Sequence, residues 1–350
     1  MKIGFSFWGF LAPFEKNSYV NTPDGTRGDR IDFVEEMKAR GHEVVRLQQM
    51  REEELYPGTS VESESFPDID VLYCEWRWPT WKNSGKNPAE PDYVRQLKVL
   101  DYYHSLGTPI VIHDGDLKMT PEEEERWPNA ILADPCVVPQ SQTRPRLSIP
   151  WVNNMRRLYS ASEGSYNYTY VGNNYERDEQ FAKYYANPSK ELRNLGVQTT
   201  VHGNWLQRSP ERKDPSEIIR TCPTIAFGAR LSYRDIFSVL NSSITVTHIT
   251  KDEYMPYGNI TCRFYEAILS EVPALIPHEY VHARPMGLGE ILTIKSSDDV
   301  VKKVNWLFSL SKKDRKELVD LQERALRGVI DPRPSTRVDF LERVARGEKR

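Results

Sequence analysis

The 350-residue sequence predicts an α/β protein built from two parallel-sheet domains. Three observations predict it. Short apolar runs alternate with amphipathic helical patterns along most of the chain. That alternation breaks once, between Pro139 and Ser165, where Pro, Gln, Ser and Arg dominate, and then restarts. Glycines punctuate it, closing predicted helices at Gly41 and Gly107 and following predicted strands at Gly172 and Gly203.

Lys2 to Phe7 reads as a buried strand, followed by a long polar loop through Asp29 and a helix from Ile31 to Arg40. Glu43 to Leu47 is the second strand. This order starts a Rossmann-like unit, yet its first turn lacks Gly-x-Gly-x-x-Gly, which disfavours a dinucleotide dehydrogenase. Asp70 to Glu75 and Pro109 to His113 are further strands, with a helix from Asp92 to Leu106 between them, and Glu122 to Glu125 reads as a solvated helix start. Beyond the break come a strand Tyr166 to Val171, a helix carrying Glu179 to Tyr185, and a strand Gln198 to His202. Ala226-Phe-Gly then precedes a helix Tyr233 to Asn241 and a strand Ser243 to Thr247, and helices Asp299 to Ser309 and Lys312 to Arg327 close the pattern. The expected domains are residues 1–155 and 156–328, with a tail over 329–350.

Composition narrows the function. Lys and Arg total 47 against 50 Asp and Glu, a net charge of −3, which argues against nonspecific coating of nucleic acid while allowing a local basic groove. Cys74, Cys136, Cys222 and Cys262 show no paired spacing, so neither a disulfide framework nor a zinc site is signalled. With no cleavable leader and no apolar run of about eighteen residues, a soluble protein of a reducing cytoplasm is expected, with no membrane partner.

The densest stretch is Tyr257 to Pro277, which reads as loop, helix, tight turn and short buried strand. Asn259 or Thr261 can cap the helix, and Ile260, Phe264, Ala267 and Ile268 share one face. Arg263, Glu266 and Ser270 lie on another. Arg263 falls in the first turn, where exposed N–H groups and the helix dipole favour an anion such as a diphosphate, and Glu266 can accept two hydrogen bonds from ribose hydroxyls. The same Arg and Glu also suit a solvated surface pair. Elsewhere, Asp114 and His113 emerge at the end of a predicted strand, where open α/β sheets form active sites, and either suits a general base. Asp114-Gly-Asp116 has an Asp-x-Asp spacing that could hold Mg²⁺ or Mn²⁺ through Asp116, or else is an ordinary Asp-Gly turn. Trp76-Arg77-Trp78 offers rings and a guanidinium for stacking on an acceptor base or sugar, or a hydrophobic plug. Lys82, Lys86, Arg95 and Lys98 follow as phosphate contacts or ordinary surface charge.

An Arg followed three residues later by Glu, in a helix before a Pro-containing turn and an apolar strand, resembles the donor-binding helix of GT-B glycosyltransferases. The segment order from Tyr168 to Pro277 resembles that plan too, and within it the chain resembles the phage DNA β-glucosyltransferases. The resemblance rests on two patterns, Tyr170-Val-Gly172-Asn-Asn-Tyr-Glu-Arg177 and Thr261-Cys-Arg263-Phe-Tyr-Glu266. It implies two Rossmann-like domains facing across a cleft, the second holding the nucleotide sugar and the tail returning to the first. It implies Asp114 as the base, with Gly172, Asn173 and Arg177 at the phosphates; Gly203 and Asn204 are weaker donor contacts. Where the family carries a second basic residue soon after the first, this chain has Asp178 and Glu179. The implied activity is transfer of a hexose from a UDP-sugar to a hydroxymethylated pyrimidine in duplex DNA, in the host cytoplasm if phage-encoded. A protein or polysaccharide acceptor, or a non-catalytic nucleotide- or DNA-binding module, is the alternative.

Overall fold

The structure is a computed structural model that describes residues 1–7, 26–47, 65–76, 90–152, 167–174, 177–206, 217 and 220–348. Two compact units divide the chain. The first takes Met1–Ser18, Thr26–Asn154 and Pro332–Arg350; the second takes Tyr19–Gly25 and Met155–Asp331.

In the first unit six strands, β1 (Lys2–Ser6), β2 (Glu43–Leu47), β3 (Val71–Glu75), β4 (Ile110–His113), β5 (Ile131–Asp134) and β6 (Arg146–Ser148), form one parallel sheet in the order β2-β1-β3-β4-β5-β6. Both faces are covered, which is why the strands read as continuous apolar runs. Ile3, Phe5, Tyr73 and Val111 pack one face with Phe33, Val338 and Leu341; Leu72, Cys74, Ile112 and Leu132 pack the other with Val99, Leu100 and Trp127. The helix Thr26–Ala39 starts five residues before the expected Ile31. The last helix, Pro334–Ala345, has Pro at its start, where a missing N–H costs nothing, and buries Val338, Leu341 and Val344 in the first core. Arg337 on it pairs with Asp29, both nearly inaccessible, and lies over the Phe33 and Tyr73 rings at 5.0 and 5.3 Å.

The second unit repeats the plan. Strands β7 (Asn167–Val171), β8 (Gln198–His202), β9 (Ile225–Gly228), β10 (Ser243–Thr247), β11 (Ala274–Pro277) and β12 (Thr293–Ile294) form a parallel sheet in the order β12-β11-β10-β7-β8-β9. Each sheet order reverses once, between β1 and β3 and between β7 and β10, and such reversals open crevices at the strands' carboxyl ends. Helix Lys312–Val329 is pinned to β11 by Gln322, whose side chain exchanges hydrogen bonds with both main-chain groups of Ala274 at 2.9 and 2.7 Å.

Three expectations are corrected. Glu124 is not a solvated helix-start residue: it is fully buried and receives Arg146 at 2.6 Å and Thr143 at 2.8–2.9 Å. Arg95 does not follow a phosphate, because it is buried and donates to the carbonyl oxygens of Leu47 at 2.7 Å and Phe7 at 3.4 Å, closing the ends of β2 and β1. Trp76 is not an exposed stacking platform: it is 2% exposed and packs edge-on against Tyr93 and Trp127 in the core. Its partners in the expected acceptor surface, Arg77 and Trp78, lie outside the described residues, as do Lys82 and Lys86.

Candidate functional site

At the carboxyl end of the second sheet, β7 runs into Gly172 and β8 into Gly203. The two turns interlock. A Cβ on Gly203, at φ +154°, would stand 2.1 Å from the Gly172 carbonyl oxygen, so that position needs glycine, and one on Gly172 would stand 2.7 Å from the Tyr170 hydroxyl and displace that ring. Gly172 N–H donates to the His202 carbonyl at 2.9 Å, and the Trp205 indole donates to the Gly172 carbonyl at 2.8 Å. Asn173 and Asn204 cross-brace the loops: Asn174 N–H donates to Asn204 Oδ1 at 3.0 Å, and Asn204 N–H to Asn173 Oδ1 at 3.2 Å. Arg177, at the start of helix Asp178–Phe181, folds back to donate through Nη1 to the Tyr170 hydroxyl at 2.8 Å and the Asn173 carbonyl at 2.7 Å.

Helix Cys262–Leu269 begins at the same end of the sheet. Ile260, Phe264, Ala267 and Ile268 are all buried, as their spacing predicts. Thr261 is its N-cap in extended conformation (φ −76°, ψ 162°), but its side chain caps no N–H, and its buried Oγ1 has no hydrogen-bond partner among the described residues. Phe264 N–H turns back to the Thr261 carbonyl at 3.0 Å, and the dipole of a helix start without a side-chain cap still favours an anion. Arg263 forms an ion pair with Glu266, the two side chains being 24% and 3% exposed. Burial works against the Arg263 charge, but the Glu266 carboxylate outweighs it and holds the guanidinium above its ordinary pKa. Burial in turn pushes the Glu266 carboxyl up, against the pull of Arg263. Glu266 Oε1, Ser270 Oγ and Asn259 Oδ1 are buried with no partner among the described residues. Such unmet groups cost about 1–3 kcal/mol each, so finding three along one helix and its flanks, from Asn259 before it to Ser270 at its C-cap, is informative.

Sequence reasoning missed other groups at this end. Tyr170 accepts from Arg177 and, with Thr247, His248 and Arg263, lines a small cavity of about 20 Å³, room for one water. Tyr280 donates to Gln180 at 2.8 Å and receives the Thr250 N–H at 2.6 Å. No local signal marks these residues, since each is an ordinary core type whose hydroxyl or ring meets its partners only through the fold.

In the first unit, Asp114 follows β4 and is 1% exposed. Its Oδ1 accepts from Lys118 N–H at 2.9 Å, and its Oδ2 from Met119 N–H at 2.9 Å and Arg146 at 3.1 Å, so three of its roughly four lone-pair sites are taken. Arg146 is a buried hub that also bonds Glu124 and stands 3.7 Å from Asp134. His113, the rival base, lies one residue before Asp114 at the end of β4. Its Nε2 donates to the Ile149 carbonyl at 2.9 Å, its ring stacks on Tyr73 and meets Trp151 edge-on, and burial, with Arg337 and Arg146 adding, lowers its pKa to about 3. Among the described residues no cluster of three or more His, Cys, Asp or Glu side chains is set to hold a metal, and Asp114 Oδ2 is engaged with the Arg146 guanidinium. No helix of the described residues is long and apolar enough to cross a membrane.

No family model and no curated protein sequence matches the chain. Solved structures do. A T4 phage beta-glucosyltransferase mutant in complex with UDP-glucose aligns with a TM-score of 0.59 at 14% identity, over 99% of this chain and 99% of its own. An alpha-glucosyltransferase in complex with UDP-glucose and DNA containing an abasic site aligns at 0.67 and 10% identity, over 98% and 99%. The Anabaena protein HepE, in complex with UDP and glucose, aligns at 0.57 and 13%, over 97% and 99%. Two six-stranded parallel sheets in sequence, each interleaved with helices, and whole-chain likeness to these structures lead to one conclusion: this chain has the GT-B fold.

Proposed function

We propose that this chain is a glycosyltransferase that moves a hexose from a UDP-sugar to the hydroxyl of a hydroxymethylated pyrimidine in phage DNA. One observation carries the donor half: an uncapped helix start at the carboxyl end of a parallel sheet, bearing Arg263 and a Glu266 oxygen that has no partner among the described residues. The diphosphate would take the helix N–H groups and Arg263, with Arg177 second, and Glu266 Oε1 would accept from the ribose. As the bond from the anomeric carbon to the diphosphate oxygen breaks, negative charge grows on the leaving group, and fixed cations stabilise that charge more than the ground state. Asp114 is the proposed base for the acceptor hydroxyl, its charge held by Arg146. No step is routed through a metal. Gly172, Gly203 and Asn204 act by holding the loop shape.

The DNA acceptor is supported by the neighbour described with DNA and UDP-glucose. The test is intact-mass analysis of duplex DNA carrying 5-hydroxymethylcytosine or 5-hydroxymethyluracil, incubated with the protein and UDP-glucose. A hexose-sized gain on modified DNA alone supports the reading; donor binding with no gain moves the acceptor to protein or glycan, and no donor binding sinks the reading.

A further inference from the structure

His248 directly follows β10 and is 2% exposed; His282 precedes the short helix Ala283–Met286 and is 1% exposed. Their rings lie 6.1 Å apart. All four ring nitrogens are buried without a hydrogen-bond partner among the described residues. A neutral imidazole carries one donor and one acceptor, and leaving both unmet in each of two neighbouring rings is a large cost to keep without return. His248 lines the cavity shared with Tyr170, Thr247 and Arg263, and its ring meets Phe264 on the donor helix edge-on at 5.8 Å.

The groups around it set the charge. From the helices come Arg263, already engaged by Glu266, and Arg177; from the strands Tyr170, and from the loop after β11 Tyr280 and His282. Burial, then His282 and Arg177, hold His248 well below its ordinary pKa. An arriving diphosphate reverses this balance, because it brings two negative charges to a site where one of two guanidiniums is compensated.

We propose that His248, backed by His282, is a donor-contacting residue that accepts a proton from solvent as the diphosphate binds. The inference rests on the donor-site reading above. It predicts that affinity for UDP-glucose falls as pH rises through neutrality, since the bound state holds the extra proton. UDP-glucose is the probe because its diphosphate has no titrating group in that range. Isothermal titration calorimetry at pH 7.5 in buffers of different ionisation enthalpy reads the proton count directly. The expected result is net uptake in the wild type, lost in His248→Gln along with at least a tenfold affinity loss. Binding with no proton uptake overturns this proposal and leaves the donor site standing, whereas no binding of UDP-glucose overturns both. Uptake that persists in His248→Gln also overturns it. If that variant does not fold, the wild-type pH dependence decides: flat affinity between pH 6 and 8 refutes the inference.

Discussion

Glu266→Gln separates ribose binding from phosphate binding. The carboxylate has divided duties: Oε2 is held by Arg263, while Oε1 is buried with no partner among the described residues. Gln keeps the volume and a carbonyl oxygen but loses the charge. A hydrogen bond to a charged acceptor exceeds one to a neutral acceptor by about 1–1.5 kcal/mol, so UDP should bind roughly 5- to 10-fold more weakly. Inorganic pyrophosphate should not follow. With no carboxylate to share, the Arg263 guanidinium is released to the anion, so pyrophosphate affinity should hold or rise. Calorimetry with both ligands on both proteins is the assay. Equal losses for UDP and pyrophosphate would refute the argument by making Glu266 a general support of the site, and an unchanged UDP affinity would remove it from the ribose altogether.

Arg146→Met strands Glu124 and Asp114 as buried charges, and should destabilise the protein by about 3–5 kcal/mol in urea unfolding at pH 7. Gly203→Ala should cost about 1–3 kcal/mol in the same measurement and weaken UDP binding, since its new carbon meets the Gly172 carbonyl. Asp114→Asn should lower the transfer rate by about 10²- to 10⁴-fold in the mass assay while UDP-glucose binding is retained. His113, near 3, and His282, near 4, are held by burial below the ordinary 6.5, so below that value the unfolded chain binds protons more readily. Stability present above pH 6.5 is therefore lost as pH falls toward 4, by up to about 1.4 kcal/mol per pH unit for each histidine, and His282→Gln should flatten the urea midpoint over that window.

How much was legible depends on how far apart the interacting residues lie. The helix Cys262–Leu269 and strand Ala274–Pro277 could be read because both express themselves locally, one as a face at helical spacing and the other as an apolar run after a proline. Strands β8 and β10 and helix Tyr233–Asn241 fall at the expected residues for the same reason. Glu124 and Arg95 could not be read, because charged residues look solvated until their partners are known, and those stand 22 and 48 residues away. Strand β6 carries three residues, too few for a period to register, and β5 ends its apolar run in Asp134, whose partners are the Cys136 and Gln140 N–H groups of the loop that follows. The helix Asp178–Phe181 widens into a π-helical stretch over Ala182–Ala186, where Tyr184 and Tyr185 turn inward, and no spacing rule for an α-helix anticipates that. At the candidate site, the sequence offered residue types and not vacancies: that Glu266, Thr261 and His248 keep polar atoms buried without partners among the described residues is a property of three dimensions.

The last helix of the first unit has a consequence for biosynthesis. Asp29 near the start of that unit is compensated by Arg337, 308 residues later, and the first core is completed by Val338 and Leu341. Translation proceeds from the other end. While the ribosome is still adding residues 155–331, the amino-terminal sheet has every strand but neither the last helix that completes its cover nor the guanidinium that makes a buried Asp29 tolerable. The unit synthesised first is thus the one that must be finished last.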